Sequence, residues 1–239
     1  ILASIMLLSV ACNKDKEKKQ ATVNLNFQPQ LNGLNVEFSQ LFTDSQSRTI
    51  RLELVKFYLS KISFVNDKDE MVEVKDIALI DLAAASTSTL SSTIPSDNYT
   101  SIKFGVGVHQ DMNAMTPADF TEENHPLNSI QNTYWGMNGM YRFVMIDGRY
   151  DIENDDVFDG TFSYHSGFES SYREVELVKD FKFKKKETYE LTIFIDIAKI
   201  LEGTGGNLDL INRPSYHGNP EDIDLANTLS DNMSKVFSL

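Results

Sequence analysis

Alternating apolar and polar residues run through most of the chain and predict β-strands. Residues 21–27, 99–108 and 189–197 each place apolar side chains at every second position. A period of two puts those side chains on one face of a strand, which is then half-buried in a sheet. About ten such segments, separated by turn residues, are typical of a β-sandwich.

Two irregularities in this pattern predict local features of the strands. Between residues 50 and 64 the alternation slips by one position at Val55 and then continues, which indicates a β-bulge. Gly105 and Gly107 lie on the polar face of the strand at 99–108. Glycines in a strand allow a bulky ring or another backbone to approach closely, so we expect such a contact there.

The spacing becomes helical only near the end of the chain. Asn219 is a suitable N-cap before Pro220, and acidic residues follow in the first turn. The apolar residues that keep the helical spacing are Ile223, Ala226, Leu229, Met233 and Val236. The predicted fold class is therefore all-β, a single β-sandwich domain over residues 21–239 with one C-terminal helix.

The first twenty residues predict a membrane-attached protein. Residues 1–12 are mostly apolar but shorter than the roughly 20 residues that span a bilayer. They end in Leu-Ser-Val-Ala-Cys, which resembles a bacterial lipobox, so we expect a partial lipoprotein signal peptide with cleavage before Cys12 and lipidation of its thiol. The charged residues 13–20 are expected to form a tether. The expected location is the bacterial cell envelope, facing the periplasm or the cell surface.

Composition and motifs exclude several classes of function. The net charge of −13 disfavours nucleic acid as a partner, because phosphates would be repelled. Cys12 is the single cysteine, so neither an intrachain disulfide nor a cysteine-based metal cluster can form. The sequence contains no phosphate-binding loop, no G-x-S-x-G elbow and no H-E-x-x-H motif. We therefore expect a protein that is not an enzyme.

Two polar loops flank a short segment that holds the single tryptophan, Trp135. The loop at residues 109–133 is long enough to be usually functional or disordered. The loop at residues 147–159 carries six acidic residues but lacks the glycine and the terminal glutamate of a calcium-binding loop. A solvated surface is the favoured interpretation of this acidic loop, with a calcium site as the alternative.

The four histidines all lie at predicted strand ends or in loops. Without a thiolate, a transition-metal site in this chain would use imidazole, which suits copper and zinc. Methionines nearby could add soft ligands for Cu(I), although methionine more often fills gaps in a core. The residues concerned are His109, His125, His165 and His217, with Met112, Met115 and Met137.

Several ordered motifs resemble the MbnP-like family, the copper-binding partners of methanobactin-linked systems. Leu-Val-Lys-Phe-Tyr-Leu-Ser-Lys-Ile at 54–62 is followed by Tyr-Thr-Ser-Ile-Lys-Phe-Gly-Val-Gly-Val at 99–108. His-Pro-Leu-Asn at 125–128 and Phe-Ser-Tyr-His-Ser-Gly at 162–167 come next in the same order. Together with Trp135 and the final helix, the resemblance covers most of residues 50–237.

The resemblance implies a β-sandwich that binds copper through histidines. It also implies that a tryptophan near the metal can be oxidised to kynurenine by a di-haem, peroxidase-like partner enzyme. By position, His165 in the H-x-G motif and Trp135 in the W-x-x-N motif are the best candidates, followed by His217 and His125. The family commonly has a second tryptophan where this chain has Met137.

Two hypotheses follow for the function. The first is a lipid-anchored, non-catalytic copper-binding protein whose ligands are His165, His217 and His125, with Trp135 shielding the metal or being modified. The alternative is a β-sandwich lipoprotein that binds glycan or protein through exposed aromatic side chains, with Tyr134 and Tyr164 beside Trp135. Histidine rings that converge in space would favour the first hypothesis.

Overall fold

Seventeen strands, many of them short, make up about half of the described chain. The structure is a computed structural model that describes residues 20–84 and 88–239. Cys12, the predicted signal peptide and residues 13–19 of the tether lie outside the described residues. In chain order the strands are β1 (Gln20–Leu31), β2 (Leu34–Asn35), β3 (Phe42–Thr43), β4 (Thr49–Asn66), β5 (Met71–Asp81), β6 (Thr89–Pro95), β7 (Asn98–Val106), β8 (Tyr134–Trp135), β9 (Met140–Tyr141), β10 (Val144–Asp151), β11 (Gly160–Ser166), β12 (Arg173–Lys182), β13 (Thr188–Asp196), β14 (Glu202–Gly203), β15 (Gly206–Asn207), β16 (Ser215–Tyr216) and β17 (Phe237–Ser238).

Two of the sheets formed by these strands pack face to face. The five-stranded sheet has the order β17-β13-β1-β2, and β6 also pairs with β1. The eight-stranded sheet has the order β12-β7-β4-β10-β11-β16, and β3 and β5 also pair with β4. Phe237 of the first sheet contacts the rings of Phe57 and Phe104 in the second, within one buried apolar core. The predicted β-sandwich is confirmed.

The single long helix also agrees with the prediction. Helix α1 is Gln110–Asn113, α2 is Ala198–Leu201 and α3 is Ile223–Met233, and short 3-10 turns cover Pro117–Asp119, Ser129–Gln131, Glu169–Ser171 and Pro220–Asp222. The Asn219 side chain accepts the backbone N–H of Glu221 at 3.2 Å. Buried Leu229 and Met233 face the core, and α3 lies against β11. Among the described residues, no helix is both long and apolar enough to cross a bilayer.

The predicted bulge in β4 is present. Leu54 pairs with Asp147 of β10 and Leu52 pairs with Gly148, so Glu53 has no partner in the ladder. The extra residue explains the change of phase that the sequence shows at Val55, because a bulge shifts the alternation by one position. Asp147 therefore lies directly opposite an irregular point of the sheet.

The structure differs from the sequence-based prediction in two segments. The serine- and threonine-rich composition of segment 83–95 predicts a connector, but β6 occupies its second half and pairs antiparallel with β1. Its apolar side chains are few, yet Ile94 is fully buried in the core. Residues 147–151 were predicted as the start of the acidic loop and instead belong to β10. In both segments cross-strand pairing overrides a polar local sequence.

Gly105 in β7 and Gly107 just after it have the predicted role. The ring of Tyr172 lies on Gly105, and the ring of Phe143 lies on Gly107, so closely that an added Cβ would overlap each ring. Gly107 also has a φ of +118°, which a residue with a side chain rarely adopts.

Candidate metal centre

Two histidines that are distant in sequence meet at one edge of the eight-stranded sheet. Strands β11 and β16 run parallel, with Ser163 beside Ser215 and Tyr164 beside Tyr216. His165 is on β11 and His217 directly follows β16, so this register brings them together. Their ring centroids are 4.7 Å apart, with the planes inclined at 66°.

A carboxylate and a hydroxyl group join the two imidazoles. Asp147 on β10 is the cross-strand partner of Ser163 on β11. The Ser163 hydroxyl lies 2.6 Å from Asp147 Oδ1 and 2.7 Å from His217 Nε2. His165 Nε2 lies 3.1 Å from the same Asp147 oxygen and 3.4 Å from Ser163 Oγ. The four side chains form one continuous hydrogen-bonded network.

The environment favours an ionised carboxylate and a neutral imidazole in this network. Burial alone would raise the pKa of Asp147, but hydrogen bonds from His165 and Ser163 and the nearby imidazoles outweigh it, so the pKa is lowered. Burial lowers the pKa of His217, and the neighbouring His165 lowers it further. A neutral imidazole is the form that binds a metal ion.

One imidazole nitrogen in the network has no partner. His165 is 8% exposed, and its Nδ1 atom is buried with no hydrogen bond to any described residue. A buried polar atom normally has a partner, because leaving it unsatisfied costs about 1–3 kcal/mol. A metal ion is one group that would satisfy this atom.

Trp135 lies against both histidine segments. It ends β8, and the turn from Gly136 to Gly139 leads to β9. An added Cβ on Gly167 would be 2.7 Å from Trp135 Cζ3, and one on Gly218 would be 3.3 Å from the same atom. These glycines follow His165 by two positions and His217 by one. The indole therefore covers the backbone beside the histidine pair.

The segment before His217 is fixed by Tyr164 and Arg213. The Tyr164 hydroxyl is within hydrogen-bond distance of the backbone oxygens of Asp209 and Arg213, at 3.0 and 2.7 Å. The Arg213 guanidinium pairs with Asp222 and Asp224 at the start of α3, at 2.8 and 2.6 Å. These contacts hold a glycine- and asparagine-rich segment in place and so position His217.

The other two histidines lie in different surroundings. His125 stacks on Phe120 with ring centroids 4.4 Å apart, and its Nδ1 accepts the N–H of Leu127 at 3.1 Å. His109 contacts the ring of Tyr172 and has Asp111 at 3.2 Å. Within residues 20–84 and 88–239, no ring contact or hydrogen bond joins either of them to the pair. The structure thus brings two of the three predicted ligands together and leaves His125 outside the network.

The predicted methionine and aromatic groups are dispersed. Met112 is buried, whereas Met137 is fully exposed at the tip of the turn after Trp135. Tyr164 has no exposed surface, so it cannot belong to an aromatic platform for glycan or protein. Its burial removes one of the three side chains that the alternative hypothesis required.

The acidic loop brings three carboxylates together. Oxygen atoms of Asp151, Glu153 and Asp159 lie within 4.8 Å of one another. Both oxygens of Asp151 already accept backbone N–H groups, from Asn154 at 2.7 Å and from Asp156 at 3.0 Å. These two hydrogen bonds satisfy both oxygens of the buried Asp151 carboxylate with groups of the protein itself.

Sequence patterns do not reveal two members of the histidine network, Ser163 and Asp147. Ser163 shares a strand face with His165, which the alternation of β11 shows, but a serine two residues away carries no signal of its own. Asp147 is one of six acidic residues in its segment. Nothing in the one-dimensional pattern distinguishes it, because its role depends on pairing with β11.

The donor set is suited to copper or zinc. Two imidazoles, a carboxylate and a hydroxyl offer nitrogen and oxygen ligands, and imidazole suits both metals. Two nitrogens bound to one ion at about 2 Å each lie no more than about 4 Å apart. Ring centroids 4.7 Å apart are compatible with that separation. The residues present therefore fit a metal ion at the histidine pair.

Fold and site together define a β-sandwich protein with a candidate histidine metal centre covered by a tryptophan. The MbnP family model matches residues 20–219, so the chain belongs to the MbnP family. The structure is similar to that of MbnP from Methylosinus trichosporium, with a TM-score of 0.56, 15% sequence identity and 87% of each chain covered. At this identity the likeness concerns the fold alone. No match was found among curated protein sequences.

Proposed function

We propose that this protein binds copper through His165 and His217 beside Trp135 and has no catalytic turnover of its own. MbnP-like proteins are a methanobactin-associated, copper-related accessory family. The observation that carries the proposal is the convergence of these two imidazoles, 4.7 Å apart, with a buried unpartnered nitrogen on one of them. A bound ion would supply a redox-active or Lewis-acidic centre, while the protein supplies the ligands and a partly closed setting.

Each side chain has a distinct part in this proposal. His165 provides a buried donor on a rigid strand, and His217 provides a more exposed donor on the adjacent segment. Trp135 excludes water from one side of the histidine pair, the side on which Gly167 and Gly218 lie. His125 is left out because its Nδ1 is already engaged by the Leu127 N–H.

The proposal extends to the location and the partner of the protein. The lipobox-like segment supports lipidation at Cys12 and attachment to a membrane of the bacterial cell envelope, facing the periplasm or the cell surface. Family membership supports a di-haem, peroxidase-like enzyme as partner and Trp135 as its target. The intact mass of the protein isolated from its native host tests both ideas, because it would include the lipid and any oxygen added to the indole.

Copper titration of metal-free protein tests the central claim. We expect one copper ion per chain in the wild type and a more than tenfold weaker affinity in the His165→Ala and His217→Ala variants, since each loses a ligand. The matched controls are His125→Ala and His109→Ala, which should bind copper as the wild type does. Equal affinity in all four variants, or no binding in the wild type, would overturn the proposal.

A further inference from the structure

We propose that Asp147 and Ser163 are positioning residues that hold His165 and His217 in the tautomer with hydrogen on Nε2. Their Nδ1 atoms are then the copper ligands. The ligand half of this inference rests on the proposed function, whereas the tautomer half concerns the metal-free protein and stands alone. The tautomer half follows from a count of the protons that the hydrogen-bonded network contains.

The first step is the direction of the two hydrogen bonds at Asp147. An ionised carboxylate has only acceptor atoms. Oδ1 of Asp147 lies 2.6 Å from the Ser163 hydroxyl and 3.1 Å from His165 Nε2. Both neighbours must therefore donate, so Ser163 directs its single proton to Asp147 and His165 carries a hydrogen on Nε2.

The second step concerns His217. A serine hydroxyl has one proton, and Ser163 has already given it to Asp147. Towards His217 Nε2, at 2.7 Å, the Ser163 oxygen can only accept. His217 must therefore donate from Nε2, which leaves its Nδ1 without a proton in the neutral ring. Asp147 thus sets the tautomer of His217 through Ser163.

The third step compares the two possible sets of ligands. In the inferred tautomers both Nδ1 atoms present free lone pairs, and His165 Nδ1 is the buried atom that lacks a partner. A metal-bound histidine usually donates its other N–H to a carboxylate or another oxygen, as both rings do here. Ligation through Nε2 would break the hydrogen bonds that the two rings make with Asp147 and Ser163. It would also leave a buried N–H on His165 Nδ1 with no acceptor among the described residues.

Nuclear magnetic resonance of the metal-free protein tests the tautomers directly. Long-range ¹H–¹⁵N correlations at pH 8, above the ordinary histidine pKa of about 6.5, distinguish Nδ1–H from Nε2–H for each ring. His165→Ala and His217→Ala assign the signals. We expect Nε2–H for both residues. An Nδ1–H tautomer at either one would overturn the inference and would favour Nε2 and Asp147 as ligands.

Variants of the two positioning residues give a second readout. Asp147→Leu removes the acceptor and adds no polar group, so His165 should lose its fixed Nε2–H tautomer and copper affinity should fall about 10- to 100-fold. Ser163→Ala should release the tautomer of His217 but not that of His165, and Ser163→Thr, which keeps the hydroxyl, should restore it. A merely structural role would not change one ring and spare the other.

Matched controls separate these effects from charge and from folding. Asp180→Leu removes the same charge from an exposed position on β12, and Thr161→Ala alters the same face of β11. Both should keep the wild-type tautomers and affinity. Unchanged tautomers in Asp147→Leu contradict the inference even if copper binds. A wild type with Nε2–H tautomers but no copper binding overturns the ligand half and the proposed function, and leaves the tautomer half standing.

Discussion

At the scale of single residues, glycines decide how closely Trp135 can approach the histidine segments. Gly167 meets both the indole and the backbone oxygen of Tyr141, and an added Cβ would lie 2.7 and 2.5 Å from them. Neither neighbour is the flexible end of a side chain. The indole therefore needs glycine at this position in order to lie where it does.

We predict that Gly167→Ala destabilises the protein by about 1–3 kcal/mol and displaces the indole, because the methyl group overpacks this contact. Trp135 is the single tryptophan, so its fluorescence emission reports the displacement without interference. Gly136→Ala is the matched control, since a Cβ there meets nothing within 4 Å. Equal spectra for the two variants would show that Gly167 does not limit the indole.

His125 offers a second prediction at this scale. Burial is the largest cause that lowers the pKa of this ring. The nearby Lys75 lowers the pKa further, whereas acidic neighbours raise it. We expect a pKa below the ordinary value of about 6.5 and a rise towards it in Phe120→Ala, which removes the stacked ring. A proton titration by nuclear magnetic resonance measures both values. A lower pKa in the variant than in the wild type would be evidence against burial as the cause.

The same shift has a defined sign for stability. Because the folded-state pKa is lower than the unfolded-state pKa, the unfolded chain binds protons more readily between the two values. The contribution of His125 to stability is present above about pH 6.5 and is lost as the pH falls through the folded-state pKa. His125→Asn removes the titrating group, so its unfolding free energy in urea should decline less than that of the wild type between pH 7 and pH 5.

At the scale of elements, helix α3 supports the strand that carries half of the site. Its buried face packs on β11, which holds Ser163 and His165. The helix start also anchors Arg213 through two acidic side chains. One helix therefore helps to position both β11, which carries His165, and the segment that carries His217.

We predict that Leu229→Ala costs about 2–5 kcal/mol, because this side chain is fully buried and its truncation leaves a cavity between helix and sheet. Urea unfolding followed by circular dichroism gives the value. Ile130→Ala, at a residue that is 62% exposed, should change stability by no more than about 0.5 kcal/mol. Similar costs for the two variants would mean that α3 contributes little to the core.

At the scale of the whole molecule, metal binding and folding should be linked. The two histidines come from segments that meet only in the folded sandwich, so an ion bound by both stabilises the native state over the unfolded one. Copper at 100 times its dissociation constant should add about 2.7 kcal/mol and raise the melting temperature by roughly 5–10 °C. The His165→Ala/His217→Ala double variant should melt at the same temperature with and without copper.

The sequence by itself determined the fold class, the late helix, the bulge of β4 and the close contacts at Gly105 and Gly107. Each is a local pattern: alternation assigns a face to every side chain of a strand, and helical spacing assigns the face of a helix. The alternation in residues 161–165 likewise assigns His165 and Tyr164 to opposite faces of one strand. The family motifs added the expectation that His165, His217 and His125 share one site with Trp135, and the structure places His125 outside it.

Only the tertiary structure decided which strands are neighbours. The parallel pairing of β11 with β16 brings His217 to His165, and the antiparallel pairing of β10 with β11 adds Asp147 and Ser163. It also placed β6 beside β1 and left His125 with Phe120. Pairing is a non-local choice, made by the fit of one shared core, and no periodicity along a chain records which two distant segments will share a hydrogen-bond ladder.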